Sequence, residues 1–400
     1  GTDILNGTIK GNLTEATSNF ETVNYTVGNN VQSTVTGSNG NGVDAATTFN
    51  LLGGDSLTTF AIDFVSPASL TKIDYSGYTG KSTASTFAAS QLVNTMDVVG
   101  SAGTDTVTAT TANNNAAVKS MSDVETLKIN VAGGATAFDF AKTSGLTKVQ
   151  LDDDGTARIA TLTDLYAGVT VEVEHGITAS GVVIDQVNKT DLDNTQTVEI
   201  KTTATDTHTY SIDASDIETL TVKMSDASKI DLSSNAMTTS GKTSTLLLTG
   251  KTAATLTAVH TDITTIDASG MTQGGSVTQE ARSTTGAVNY TGSGGKDSLI
   301  RGSAADVLVG GEGTGDTLDI NFGAILGGLN VDLSSTTNQL VSMNGSAPSG
   351  TVTGFENVDV SGYTGSFGAQ LTAIKGGSTI TGTANADSII GGAGVDTITG

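Results

Sequence analysis

The chain contains no cysteine and no tryptophan, and only two of its 400 residues are proline. Without cysteine there is neither a disulfide framework nor a thiolate metal site. A chain of this kind working outside the cell must take its stability from elsewhere, and a hard cation is the first candidate. Aromatic residues make up 4%, which points to a thin aliphatic core rather than a large globular one. Basic residues are scarce too: 18 Lys and Arg face 41 Asp and Glu, for a formal charge of −23. Phosphate binding needs clustered Lys and Arg, so nucleic acid is excluded as an expected partner. The acidic chain repels itself unless cations neutralise it. No apolar run reaches the roughly 20 residues of a spanning helix. No signal peptide is visible, but the chain begins without Met and stops inside a repeat, so it reads as a fragment.

What is abundant is glycine, 50 residues, set among Thr, Ser, Val and Asn. A hydrophobic content of 36% in repeated aliphatic runs argues against a disordered linker. Short strands joined by tight turns are the expectation, hence an all-β chain.

The glycines fall into a nonapeptide, G-G-x-G-x-D-x-U-x with U a large aliphatic, which the chain carries twice in tandem at 382–399 (GTANADSII, GGAGVDTIT). The second copy fits every fixed position; the first has Thr383 and Asn385 where glycine is usual. Upstream, GSGGKDSLI and RGSAADVLV place Asp297 and Asp306 nine apart, and GGEGTGDTL follows with one extra residue before Asp316. A single copy, GSAGTDTVT, carries Asp105, and Asp3 sits in the tail of another. Each copy is expected to make a short strand and a tight glycine turn. Successive aspartates, such as Asp387 and Asp396, are expected to stack about 5 Å apart on adjacent turns. Carboxylates that close need a bridging cation, and Ca²⁺ takes six to eight oxygens, the turn carbonyls supplying the rest. The candidate ligands are Asp297, Asp306, Asp316, Asp387, Asp396 and Asp105, with the turn residues Gly292, Gly294, Gly302, Gly311, Gly313, Gly382, Asn385, Gly392 and Gly394. Asp105, standing alone, reads equally well as an ordinary loop residue.

A second periodic element has the form aliphatic-Glu-Thr-aliphatic-x-aliphatic, with one Asn for Thr. It starts at Phe20, Val124, Ile217 and Phe355, with looser relatives at Leu70, Leu146 and Ile263. Apolar residues at i, i+3 and i+5 are leucine-rich-repeat-like. The last two share a strand face, while the first packs from the preceding turn. From Asp74, Asp267 and Asp359 to the next nonapeptide aspartate the chain runs 31, 30 and 28 residues. That reads as one module used three times: strand, Ser-Gly turn, bridge, calcium turn. Helix is expected to be scarce, with a turn or two at 85–96, 158–166 and 367–374.

Other chemistry is thin. Gly54-Asp55-Ser56-Leu57 spells a serine-esterase signature, but none of His175, His208 and His260 has an Asp three residues before it, so a base is missing. The same histidines lack zinc-site spacing. Asp152-Asp153-Asp154 and the loop at Asp191 and Asp193 read as solvated loops or surface calcium sites. No enzyme is expected. Carboxylates suited to glycoside hydrolysis stay open, without an aromatic platform beside them.

Taken together, the tandem glycine–aspartate turns, the V/I/F-E-T-L strands, the Thr/Ser/Val/Ala filler and the missing cysteine resemble RTX-type surface-layer (S-layer) proteins of Gram-negative bacteria. The resemblance implies a parallel β-solenoid or β-roll, type I secretion, Ca²⁺-dependent folding outside the cell and self-assembly into a two-dimensional lattice. It also implies attachment to cell-surface lipopolysaccharide through a region outside this chain. The expected organisation is a β-solenoid segment with an isolated turn at 1–110, a Thr/Val-rich solenoid at 111–290, a calcium block at 291–320, a strand module at 321–380 and a second calcium block opening at 381–400. An RTX adhesin stalk, or the non-catalytic part of a secreted RTX hydrolase, remains the alternative.

Overall fold

The computed structural model describes residues 3–9, 20–28, 33–36, 46–55, 58–64, 69–87, 95–112, 116–132, 136–153, 159–174, 181–188, 191, 193–201, 209–238, 241–272, 274–281, 286–320 and 327–400. Among them there is no helix. The chain is all-β: parallel strands stack coil upon coil as a β-solenoid, as expected. It divides into two compact units, Gly1–Asn188 and Lys189–Gly400.

In the first unit the chain alternates between sheets, leaving one strand in each as it winds. One sheet stacks Ile4–Ile9, Thr22–Val27, Thr48–Gly53, Lys72–Tyr78, Asp97–Val99 and Ser120–Ser122, all parallel. Another runs from Ser33–Thr36 through Thr104–Ala112 to Thr170–Val173. Strand residues alternate, inward apolar and outward polar, as in Thr59–Phe64. That period of two is what makes β-branched Thr/Val runs strands. An aromatic group lies here: Phe49 meets Tyr25, Phe64 and Tyr75 edge-on, and Phe60 meets Tyr75.

In the second unit the coils shorten. Five- to nine-residue strands give way to three-residue ones such as Asn289–Thr291, Ser298–Ile300, Val307–Val309 and Thr317–Asp319. Each buries its central side chain, Tyr290 in the first and a leucine in the other three. In-register pairing aligns one set of aliphatics into a column: Leu299, Leu318, Val358, Ile380 and Ile398. Each fully buried member contributes roughly 1.5–3 kcal/mol. Leu329–Asp332 pairs antiparallel with Leu340–Met343 and parallel with Ala369–Thr372, a hairpin let into the winding.

Two expectations are corrected. Of 158–166, the described residues 159–166 are not helical, nor are 367–374; they carry the strands Ile159–Leu165 and Ala369–Thr372. Of 85–96, the start lies in strand Ser82–Phe87, and 88–94 lies outside the described residues. In each case in-register pairing with a neighbouring coil overrides a weak local preference. The nine-residue period is also not one coil. Asp297 and Asp306 lead into Ser298–Ile300 and Val307–Val309, which lie in different sheets, as do Ser388–Ile390 and Thr397–Thr399 behind Asp387 and Asp396. Two nonapeptides make one coil, so neighbours in sequence face different sides and do not stack.

Candidate metal centre

Every nonapeptide aspartate named as a candidate ligand except Asp316 performs one local task. Each carboxylate reaches back four residues to the amide at the second position of its own turn: Asp297 accepts from Ser293 N–H, Asp306 from Gly302, Asp387 from Thr383 and Asp396 from Gly392. Asp105 accepts likewise from Ser101. The other oxygen takes an amide from the coil below. Val288 donates to Asp306 at 3.0 Å, Ala369 to Asp387 at 2.8 Å and Ser378 to Asp396 at 2.9 Å, each 18 residues earlier. Where the second position carries a hydroxyl, that hydroxyl adds a bond. Ser293 Oγ reaches Asp297 at 2.7 Å and Thr383 Oγ1 reaches Asp387 at 2.8 Å. Asp105 is the most fully served, by Ser101 Oγ and Thr83 Oγ1. Ser101, Ser293 and Thr383 stand where the pattern has glycine, and their use as carboxylate donors was not read from the sequence.

The turn glycines have a steric reason. A Cβ on Gly292 would lie 1.8 Å from the Gly310 carbonyl oxygen and 2.6 Å from Asp297 Oδ2. One on Gly313 would lie 1.9 Å from the Gly295 oxygen. Backbones of successive coils pass too closely for side chains. Gly311 has φ +122°, Gly294 N–H donates to Met271 O, and Asn385 at a glycine place donates its amide to Gly365 O. Gly382 and Gly394 sit equally tightly, a Cβ meeting Asp387 Oδ2 at 2.3 Å and Gly376 at 2.4 Å.

Asp297 and Asp316 do stack. Their strands pair in register through Ser298↔Thr317, and Asp316 Oδ1 accepts Asp297 N–H at 2.8 Å. Glu356, from the Glu-Thr element, continues the ladder by accepting Asp316 N–H at 3.0 Å and Gly315 N–H at 2.8 Å. The same glutamate position caps the coil below elsewhere: Glu125 takes Asp105 N–H, Glu218 takes Asn194 N–H and Glu21 takes Asp3 N–H. Sequence reading found the motif but gave the glutamate no role.

The extra residue before Asp316 now has a consequence. Gly311 lies five residues back instead of four, and Asp316 Oδ2 is buried without a hydrogen-bond partner. Asp316 is 0% exposed. Burial pushes its carboxyl up to about 7, with the charges of Asp297 and Glu356 adding to the effect. Burial also raises Asp297 against the pull of its hydrogen bonds. Tyr290, whose hydroxyl is buried and unpartnered, is raised by burial and by Asp297. Three acids thus lie along one face with an unsatisfied oxygen among them, an arrangement that a hard cation would relieve. Among the described residues no three His, Asp or Glu side chains converge as a ready-made cluster, so an ion there would draw on turn carbonyls.

The remaining candidates fall away from this centre. Ser56 and Leu57 of the esterase-like string, His175, His208, Asp154 and Leu192 lie outside the described residues. His260 sits in a turn, 3.4 Å from Asp262, and Asp152 is paired with Lys128 at 3.2 Å. No family model, curated protein or solved structure matches the chain.

Proposed function

We propose that the chain is a non-enzymatic structural protein, a calcium-stabilised β-solenoid that is exported and assembles into a two-dimensional layer on a bacterial surface. The observation that carries the calcium part is the buried, unpartnered Oδ2 of Asp316, in line with Asp297 and Glu356. Asp297 and Asp316 would hold the ion, with carbonyls of their turns, and Asp387 and Asp396 would hold others in the second block. The bound ion supplies charge neutralisation. The chain's own contribution is the ladder that holds these carboxylates in place.

Low calcium inside the cell leaves 41 acidic residues opposed by few cations, which disfavours compaction and suits export. Outside, calcium at the roughly 10⁻⁴–10⁻³ M typical of extracellular modules favours the folded turns. The layer itself is supported by the resemblance to RTX surface-layer proteins and by a fold that repeats along one direction. Far-UV circular dichroism and light scattering during calcium titration, followed by electron microscopy of the product, test both parts. The expected result is a gain of β-signal and then ordered sheets, reversed by EGTA. A β-signal indifferent to chelation removes the calcium part; monomers at every calcium concentration remove the layer and leave an adhesin stalk as the reading.

A further inference from the structure

Arg301 opens the second nonapeptide, at the position occupied by Gly100, Gly292, Gly310, Gly382 and Gly391 in the other turns. Those glycines leave no room: a Cβ would strike the aspartate oxygen or a carbonyl of a neighbouring coil in four of the five, and come within 2.8 Å of Asp396 Oδ2 at Gly391. A large cation at this position is therefore a departure that the local geometry has been built around. Arg301 is 0% exposed and is the bulkiest fully buried side chain among the described residues. Its guanidinium donates to Ala304 O at 2.8 Å and to Asp306 O at 3.2 Å. These are carbonyls of its own turn, the kind of oxygen that completes a Ca²⁺ shell. A planar fork suits two such acceptors better than an ammonium would.

Asp306 is itself 0% exposed, and its carboxylate takes amides from Val288, Gly302 and Ser303. A buried guanidinium is costly without acceptors, and this turn supplies two carbonyls to it and carries the Asp306 carboxylate five residues on. The Asp316 turn, ten residues on, offers the reverse: an unpartnered carboxylate oxygen and no basic side chain at the equivalent place.

We infer that Arg301 is a resident cation that takes the place of a divalent ion in the Asp306 turn. That repeat then closes without metal, while the Asp297–Asp316 side of the same block loads it. The inference changes the expected ligand set by withdrawing Asp306. It rests on the proposed calcium function only for what happens on the neighbouring side.

The test uses the whole chain, with calcium counted by equilibrium dialysis and unfolding followed in EGTA and in calcium. Asp306→Asn is expected to leave the ion count unchanged. Arg301→Gly restores the repeat's usual residue and is expected to lower Tm in EGTA, to bind one more ion than the wild type and to recover stability when that ion is supplied. Arg301→Met, which keeps a buried stem without charge, serves if the glycine variant does not fold. It is expected to show the same added calcium dependence. Loss of an ion in Asp306→Asn, or variants that lose stability but gain no ion, would overturn the inference. A wild type that binds no calcium overturns the proposed function instead. Even then, an ion gained by the Arg301 variants and absent from the wild type upholds the role of Arg301.

Discussion

At the scale of the residue, two acids carry the least comfortable charges. Asp316 is raised to about 7 by burial and by its acidic neighbours, while an unfolded carboxyl gives up its proton near 3.8. Between those values the calcium-free folded chain holds a proton that the unfolded chain does not, so raising the pH favours unfolding. Thermal melts of calcium-free protein are expected to show a higher Tm at pH 5 than at pH 8, and Asp316→Asn is expected to flatten that dependence. The same variant is expected to change sign with the ion. It should stabilise the chelated protein, since Asp297 N–H keeps an acceptor and a buried charge is gone, and it should lose the stabilisation that calcium brings. A variant weaker than wild type in both conditions would mean that Asp316 serves only as a cap. Asp319 presents a milder case on the outer face. It is directly opposite Asp359 on the next strand, and burial, then the Asp359 charge, raises it to about 6. Like charges so placed oppose pairing. Asp319→Asn is expected to gain roughly 1 kcal/mol at pH 7, after allowance for solvent screening, and nothing at pH 3, as measured by denaturant unfolding at the two pH values.

At the scale of the element, the Glu-Thr strand is a reciprocal clasp. Glu356 N–H and Asn357 N–H donate to Asp316 O, while the Glu356 carboxylate accepts Gly315 and Asp316 N–H. The pairing resembles a helix capping box laid across two coils. Glu356→Ala would leave two part-buried amides without acceptors and is expected to cost roughly 1–3 kcal/mol, whereas Glu356→Gln keeps an acceptor and is expected to cost less than half of that. Equal losses on denaturant unfolding would show that charge, not acceptance, is what Glu356 supplies. The strand positions were legible in the sequence because their period is local: Val124, Leu127 and Ile129, like Phe355, Val358 and Val360, are buried where the i, i+3, i+5 pattern put them. The caps were not legible. Whether Glu356 meets Asp316, 40 residues away, depends on how many residues each intervening coil consumes, and the hairpin at 329–343 lengthens that path. The stacking of aspartates was misread for a related reason. A nine-residue repeat fixes the turn but not which sheet receives the next strand, so Asp306 was placed over Asp297 when Asp316 holds that position. Arg301 was passed over because a non-glycine at the first turn position reads as drift in a repeat until its guanidinium is seen on the turn carbonyls.

At the scale of the molecule, the two units make different demands on solvent ions. Gly1–Asn188 carries Asp105, a carboxylate met by Ser101 and Thr83, together with the edge-on aromatic group around Phe49. Lys189–Gly400 carries Asp297, Asp306, Asp316, Asp387 and Asp396 and the unpartnered oxygen of Asp316, over a column of single aliphatics on three-residue strands. Each short coil there buries little apolar surface, so a larger share of its stability has to come from the turns. Repeat arrays also hold together through neighbouring coils, and their unfolding need not be all-or-none. Calcium is therefore expected to act unevenly. In hydrogen exchange with and without EGTA, amides of 289–320 and 379–399 are expected to lose most of their protection on chelation, while those of 48–53 and 72–78 change little. Within 289–320 the loss should centre on Asp297 and Asp316 and spare Gly302–Val309, the stretch that Arg301 closes. Equal loss of protection in both units would mean that calcium acts by neutralising the chain's overall charge, with no part for the turns in particular.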